Sequence, residues 1–344
     1  MQTVGPPCGK QLAFCQEREF ILKRLLVMIP VLLGVTFIVF SMMYITDGDP
    51  ARMMLGDLAT DEEVEALRED MGLNDPFFTR YFNYLGDLLH GDLGTSYSTR
   101  QPVSTAIMER LPATIKLAFF SCLFAIVIGV PIGIISAVRQ YSIIDSISRI
   151  VSLIGISLPN FWLALLLMLL FSVQLGWLPP SGLYGPEYYI MPVISISAVS
   201  LATFARTTRS SMLEVIRQDY IRTARAKGQT EWVVVTKHAL RNALIPIITI
   251  VGVQFATALG GAVVNEQIFG ISGLGKLMVD SIKARDFPVV QGGVLVIAIM
   301  FSFLNLFIDV LYAFVDPRIK SQYMRGSKKK KAVAASAAAG EAQE

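Results

Sequence analysis

Six stretches of this chain are apolar, nearly free of charge and long enough to cross a bilayer, which limits the possible folds more than any other feature. Roughly 20 apolar residues form a helix as long as the hydrocarbon core is thick. In lipid the backbone must satisfy its own hydrogen bonds, so such stretches become helices of a bundle. They lie near Leu25–Ile45, Ala113–Val138, Ile150–Leu175, Met191–Ala205, Ala243–Ile268 and Val289–Val315. The fourth is short and Ser/Thr-rich and begins beside a proline, so its helix is expected to run past Arg206. Only 17% of the 344 residues are charged, against about 25% in a soluble domain. The expected class is all-α: a polytopic membrane protein with six transmembrane helices.

Orientation follows from where Lys and Arg flank the spans. Lys23 and Arg24 precede the first span, Arg139 and Arg149 bracket the second connection, and Arg318 and Lys320 follow the last span. The fourth connection carries Arg206, Arg209, Arg217, Arg222, Arg225, Lys227, Lys237 and Arg241. All of these are expected inside, with both termini cytoplasmic in a bacterial or archaeal cell membrane. Between Asp47 and Leu111 acidic residues outnumber basic ones 13 to 5, as suits the opposite side. Membrane topology accounts for the basic loop, so no nucleic-acid partner is expected.

The chain divides into a cytoplasmic segment 1–20, a first transmembrane helix 21–46 and an extracytoplasmic segment 47–112. A five-helix core, 113–317, contains the cytoplasmic loop 206–242, and a basic tail, 318–344, is expected to be disordered with weak attraction to membrane lipid. The first span is too long for a signal-peptide core and no A-x-A-like site follows, so it stays as a permanent helix. In the outer segment, Thr60-Asp-Glu-Glu63 is a capping-box pattern. Val64, Leu67 and Met71 then repeat at helical spacing, and Gly72 offers a stop. Phe77, Tyr81, Tyr84 and Leu85 predict a second short helix. These helices serve either as a cap over the spans or as a docking surface. Trp177 and Tyr184, Tyr188 and Tyr189 suit the membrane–water interface. Cys8, Cys15 and Cys122 suggest no disulfide framework.

Motifs for catalysis are missing from the sequence. Gly270-Ile-Ser-Gly-Leu-Gly275-Lys276-Leu277 nearly matches a phosphate-binding loop, but Leu277 stands where the Mg²⁺-binding Ser or Thr belongs and no strand precedes it. His90 and His238 fall on opposite predicted sides, and no His/Cys/carboxylate cluster suits a metal. No G-x-S-x-G or H-E-x-x-H string occurs. A catalytic reading is therefore set aside, with no metal or cofactor expected on this chain. Within the spans, Lys116 can snorkel and Asp309 lies near an inner end. Asn160, Gln254 and Asn305 are the polar candidates for a translocation path. The small residues Ala256, Ala258, Gly260, Gly261 and Ala262 suggest close helix packing. An ion-coupled carrier ordinarily needs ionisable groups near mid-membrane, so energy for any transport has to enter elsewhere.

The basic loop is the candidate entry point. Asp219-Tyr-Ile-Arg-Thr-Ala-Arg-Ala-Lys-Gly228 is expected as a short surface helix ended by Gly228. Helical spacing puts Tyr220, Ala224 and Lys227 on one face, flanked by Arg222 and Arg225. Such a helix either inserts in a partner's groove or simply lies on the membrane surface.

Thr223-Ala-Arg-Ala-Lys-Gly228, followed by His238-Ala-Leu-Arg-Asn-Ala-Leu-Ile-Pro246, resembles the cytoplasmic signature of ABC importer permeases, and most closely the dipeptide/oligopeptide/nickel branch. Further matching strings are Gly48-Asp-Pro-Ala51, Gly91-Asp-Leu-Gly-Thr-Ser96, Arg110-Leu-Pro-Ala-Thr114, Leu158-Pro159, Leu178-Pro-Pro-Ser-Gly182, Glu266-Gln-Ile-Phe269, Gly273-Leu-Gly275, Arg285-Asp286 and Asp316-Pro-Arg318. Their order and spacing, from about Phe20 to Lys320, carry the resemblance. Against the general importer pattern, E-A-A through Gly to I-x-L-P, only Ala224, Gly228 and Leu240 match, so a role for the missing Glu is not transferred.

The resemblance implies a type I importer transmembrane domain, paired with a second homologous permease subunit. It implies two cytoplasmic ATPase subunits carrying ATP and Mg, and an extracytoplasmic substrate-binding protein. The ATPase-coupling residues would be Asp219, Tyr220, Arg222, Thr223, Ala224, Arg225, Ala226, Lys227 and Gly228. The solute would be a di- or oligopeptide, with nickel or another small solute as the alternative within this class. An autonomous channel or ion-coupled carrier is the reading from a different class.

Overall fold

The computed structural model describes the backbone at 8–46, 48–56 and 58–315, and side chains at 22, 24–46, 48–56 and 58–308. The basic tail, the Asp316–Arg318 string and the side chains of Asp309, Cys8 and Cys15 lie outside the described residues. Among the described residues every regular element is helical. The order is α1 (Cys8–Ile45), α2 (Pro50–Leu55), α3 (Asp61–Asp70), α4 (Phe77–Leu89), α5 (Val103–Val138), α6 (Ile143–Ser157) and α7 (Asn160–Leu167). Then come α8 (Glu187–Ile216), α9 (Asp219–Ala226), α10 (Glu231–Val233), α11 (Leu240–Ile268), α12 (Leu274–Lys283) and α13 (Phe287–Val315). Wider π turns continue α7 over Met168–Gln174 and join α10 to α11 over Val234–Ala239.

Among the described residues five helices are long and apolar enough to span, at Arg24–Ile45, Val103–Val138, Glu187–Ile216, Glu231–Ile268 and Phe287–Ile308. The expected third span, Ile150–Leu175, is corrected: it is a bent pair, α6 and the α7 segment to Gln174, meeting at 103°. Pro159 causes the break. Its ring pushes the preceding residue out of helical geometry, and Leu158 is extended at φ −84°, ψ 128°. If the pair is one crossing, the spans number six. Helix starts also move. The second span begins at Val103 rather than Ala113, because neither Glu109, Arg110 nor Pro112 interrupts α5. The fourth runs past Arg206, as expected, to Ile216. The fifth begins at Glu231 rather than Ala243.

The bundle centres on α5 against α8. Close approach there depends on two glycines of α5: a Cβ on Gly133 would lie 2.6 Å from the Ala205 carbonyl oxygen, and one on Gly129 would lie 2.7 Å from that of Leu201. In the run at Ala256–Ala262, Ala258 and Ala262 are buried, as close packing requires, while Gly260 faces open space. α5 has 36 residues and is about 54 Å long, so it joins two distant clusters. At its start Val103 and Ile107 pack with Leu274 and Val289; at its end Ala137 packs with Met212, Ile221, Ala224, Val234, Ala239 and Ala243.

Between α1 and α5 the expected short helices are present. Thr60 caps α3 and Glu63 reaches back to its amide, completing the capping box. α4 lays Tyr81 against α1, where its hydroxyl meets Thr36 at 3.1 Å and donates to the Leu33 carbonyl at 3.2 Å. Phe37, Phe40 and Phe77 surround that ring.

Candidate functional site

The basic connection forms a compact bracket at one end of the bundle. α8 stops at Ile216, α9 follows after two residues, and Gly228, at φ +75°, turns the chain into α10. That positive φ suits glycine alone among the neighbours. Two side chains seat α9: Ile221 is 0% exposed and Ala224 7%. Both sink into the cluster that Ala137, Met212, Val234 and Ala239 build beneath it.

The expected shared face of Tyr220, Ala224 and Lys227 is therefore corrected. Ala224 points into its own chain, while Tyr220 and Lys227 are exposed. Sequence reasoning treated the small residue as an outward feature and overlooked Ile221, three residues earlier and on the same side. The outward surface comprises Asp219, Tyr220, Arg222, Thr223, Arg225, Ala226, Lys227 and Gly228. Arg225 pairs with Glu231 at 2.7 Å and Arg222 with Asp219 at 3.6 Å. The Asn242 amide donates to the Tyr220 hydroxyl at 3.0 Å, linking α9 to α11.

Behind this bracket lies an ion pair that the sequence reading missed. Asp145, near the start of α6, is 0% exposed. It accepts from Arg209 Nε at 2.6 Å and Nη2 at 2.9 Å, from the Ser136 hydroxyl at 2.5 Å and from the Tyr141 amide at 3.0 Å. One carboxylate thus joins α5, α6 and α8, and Arg209 lies ten residues before Asp219 on the chain that becomes α9. Ser142, which caps α6 by accepting from the Asp145 amide, was the available signal: an S-x-x-D string ahead of an apolar run.

At the other end of α5 the near phosphate-binding loop has a different use. Gly273 precedes α12, and the group at that helix start is the carboxyl of the chain's own Glu266, 0% exposed. Its carboxylate accepts from the Thr114 hydroxyl at 2.5 Å and from the Lys276 amide at 2.9 Å. Thr114 in turn accepts from the Leu274 amide at 2.8 Å. A Cβ on Gly273 would lie 2.2 Å from the Glu266 carboxyl carbon, so the glycine leaves room for this side chain. A helix start favours an anion, and here a protein carboxylate occupies it.

The three candidate path residues separate. Asn160 Oδ1 and Gln254 Nε2 are buried without a hydrogen-bond partner among the described residues, and Asn160 Nδ2 lies 3.5 Å from where a Cβ on Gly261 would be. Asn305 instead donates to the Phe301 carbonyl of its own helix at 3.0 Å. Among the described residues no group of three metal-ligating side chains occurs.

This polytopic all-helical fold is that of ABC importer transmembrane domains. A chain of the MetNI methionine ABC transporter, in an inward-facing conformation, superposes with a TM-score of 0.51 over 62% of this chain and 97% of that one, at 20% identity. The chain belongs to the binding-protein-dependent transport system inner membrane components: residues 129–321 match that family and residues 18–118 its N-terminal part. It is 43% identical to the dipeptide transport system permease protein DppB of Alkalihalophilus pseudofirmus over 88% of this chain and 99% of that protein. It is 42% identical to the glutathione transport system permease protein GsiC of Escherichia coli K12, over the same shares.

Proposed function

We propose that this chain is a permease subunit of an ATP-driven, binding-protein-dependent importer of di- and oligopeptides. The dipeptide and glutathione systems named for its relatives support the solute class. A second permease would complete the path, two cytoplasmic ATPases would carry ATP and Mg, and a binding protein would deliver peptide from outside. The 206–242 bracket and both termini then lie in the cytoplasm, and α2–α4 outside.

The observation that carries the coupling role is the seating of α9. An eight-residue helix is too short to be stable alone, and two buried side chains fix it to α5, α8 and α11. Its outward face stays polar and available to a partner's groove. Closure of the ATPases would push on that face, and the cluster beneath would carry the displacement into the bundle. Asn160 and Gln254, with unmet hydrogen-bonding groups, would contribute to the path.

Thr223 is exposed on α9 and bonds only its own backbone, to the Asp219 carbonyl. In Thr223→Cys the new thiol should form cross-links to a cysteine placed in the ATPase cleft, with yield changing between nucleotide-free and ATP-bound complexes. Cross-linking no better than for a cysteine at exposed Tyr141, with peptide uptake intact after ATP depletion, would overturn the reading.

A further inference from the structure

Helix α4 carries more apolar surface than its contacts within the chain cover. Phe77, Tyr81 and Tyr84 face α1 and all pack on the Phe40 ring, with centroids 5.4, 5.4 and 5.6 Å away, so α4 crosses α1 there. Beside them, helical spacing sets a second stripe: Phe78, Phe82, Leu85 and Leu89, at i, i+4, i+7 and i+11. Phe78 and Phe82 are each 64% exposed and Leu89 is 89% exposed. Single exposed apolar residues are normal on a surface in water, but a stripe of large ones marks a contact face. Thr79, Asn83 and Asp87 occupy the remaining side of α4 and are exposed too.

The level of the crossing shows what covers the stripe. The first span, Arg24–Ile45, has 22 residues and is about 33 Å long, close to the hydrocarbon thickness of about 30 Å. Phe40 lies five residues inside the Ile45 end, about 8 Å along the helix. The Tyr81 hydroxyl reaches deeper, to Thr36 at 3.1 Å and to the Leu33 carbonyl at 3.2 Å, and Leu33 is about 18 Å from Ile45. A helix standing in water above the bilayer cannot make those contacts. Leu33 and Phe37, on the side of α1 that meets α4, remain 44% and 42% exposed, so apolar surface continues from the span onto α4.

Arg80 gives the direction. It stands on the side of α4 opposite the stripe, with its guanidinium over the Tyr44 ring at 5.4 Å and donating to the Leu73 carbonyl at 3.4 Å. Tyr44 is next to the end of the span, so Arg80 points out of the bilayer and the stripe points into it. A basic head at the interface above an apolar face is the pattern of a helix lying in the membrane surface.

We infer that α4 is immersed in the outer leaflet, with Phe78, Phe82, Leu85 and Leu89 among the lipid acyl chains and Thr79, Asn83 and Asp87 toward the headgroups. An amphipathic helix so placed sinks its apolar face about 5–10 Å, in line with the crossing at Phe40. Naming the leaflet the outer one rests on the importer reading; the immersion does not.

The test uses the co-purified complex, its native cysteines replaced by alanine, in liposomes of phosphatidylethanolamine and phosphatidylglycerol. Nitroxides are attached in Phe78→Cys, Phe82→Cys and Leu89→Cys on the stripe, and in Thr79→Cys and Asn83→Cys on the polar side. Electron paramagnetic resonance then reads their collisions with oxygen, which concentrates among acyl chains, and with chromium oxalate, which stays in water. The ratio of oxygen to oxalate collisions should be severalfold higher at the three stripe positions than at the two polar ones. Oxalate reaching the stripe as freely as the polar side would put α4 in water and overturn the inference. Exclusion of both reagents from the stripe would show a protein partner covering it and overturn the inference equally. All five positions are exposed, and unchanged melting of the labelled variants would show that they fold. None of these readouts depends on transport, so the importer reading can fail independently.

Discussion

Asp145 shows what a single buried charge does in this fold. Its carboxylate has no access to solvent, and its bonds to Arg209, Ser136 and the Tyr141 amide replace the hydration it gave up. Breaking such a pair from one side leaves the other charge stranded, which costs about 3–5 kcal/mol. Asp145→Asn should therefore lower stability by about 3 kcal/mol, because Arg209 then keeps a neutral acceptor in place of a charge. Arg209→Met in the same background should recover part of the loss, since the orphaned cation is gone. Thermal unfolding of the two single variants and the double variant checks this; strictly additive losses would show that the pair contributes nothing as a pair.

Helices were the most legible part of the sequence, and their ends the least. Apolar runs located every spanning segment, since lipid demands the same composition wherever a helix crosses. The starts at Val103 and Glu231 were hidden because polar residues there lie on helix that continues past the apolar run. Leu158–Pro159 is one of the strings that carry the family resemblance, yet its 103° bend comes from backbone geometry that hydropathy does not register. Gly129 and Gly133 went unnoticed among larger apolar neighbours, although the packing of α5 on α8 depends on them. Gly133→Ala would put a methyl group 2.6 Å from a backbone oxygen that cannot swing aside. Overpacking of that kind costs about 1–3 kcal/mol. Gly260→Ala, facing open space, should change stability by less than about 0.5 kcal/mol. Equal melting of the two variants would refute close α5–α8 packing in the membrane.

Across the whole molecule, α5 carries both halves of the candidate mechanism. Ala137 sits under the α9 seat, and Thr114, 23 residues earlier on the same helix, holds Glu266 and the start of α12. At 1.5 Å per residue those points are about 35 Å apart. α5 runs unbroken between those points, through Pro131, so under the proposed coupling a displacement at the α9 seat would pass along it toward the Thr114 junction. The sequence contained every member of this arrangement: Thr114 and Glu266 both lie in strings that carry the family resemblance. Nothing in their spacing showed that they meet, because the contact joins positions 152 residues apart. Thr114→Val removes the hydroxyl while keeping the shape, leaving the buried Glu266 oxygen and the Leu274 amide short of a partner. An unmet buried group costs about 1–3 kcal/mol, so the junction should open more readily. In the assembled complex, ATP hydrolysis without binding protein should rise severalfold in Thr114→Val, because the far end of α5 no longer resists the movement that the ATPases impose. Thr114→Ser, which restores the hydroxyl, should return hydrolysis to the wild-type level. A fall in melting temperature with unaltered basal hydrolysis would make the junction a purely local support and separate it from the coupling proposed for α9.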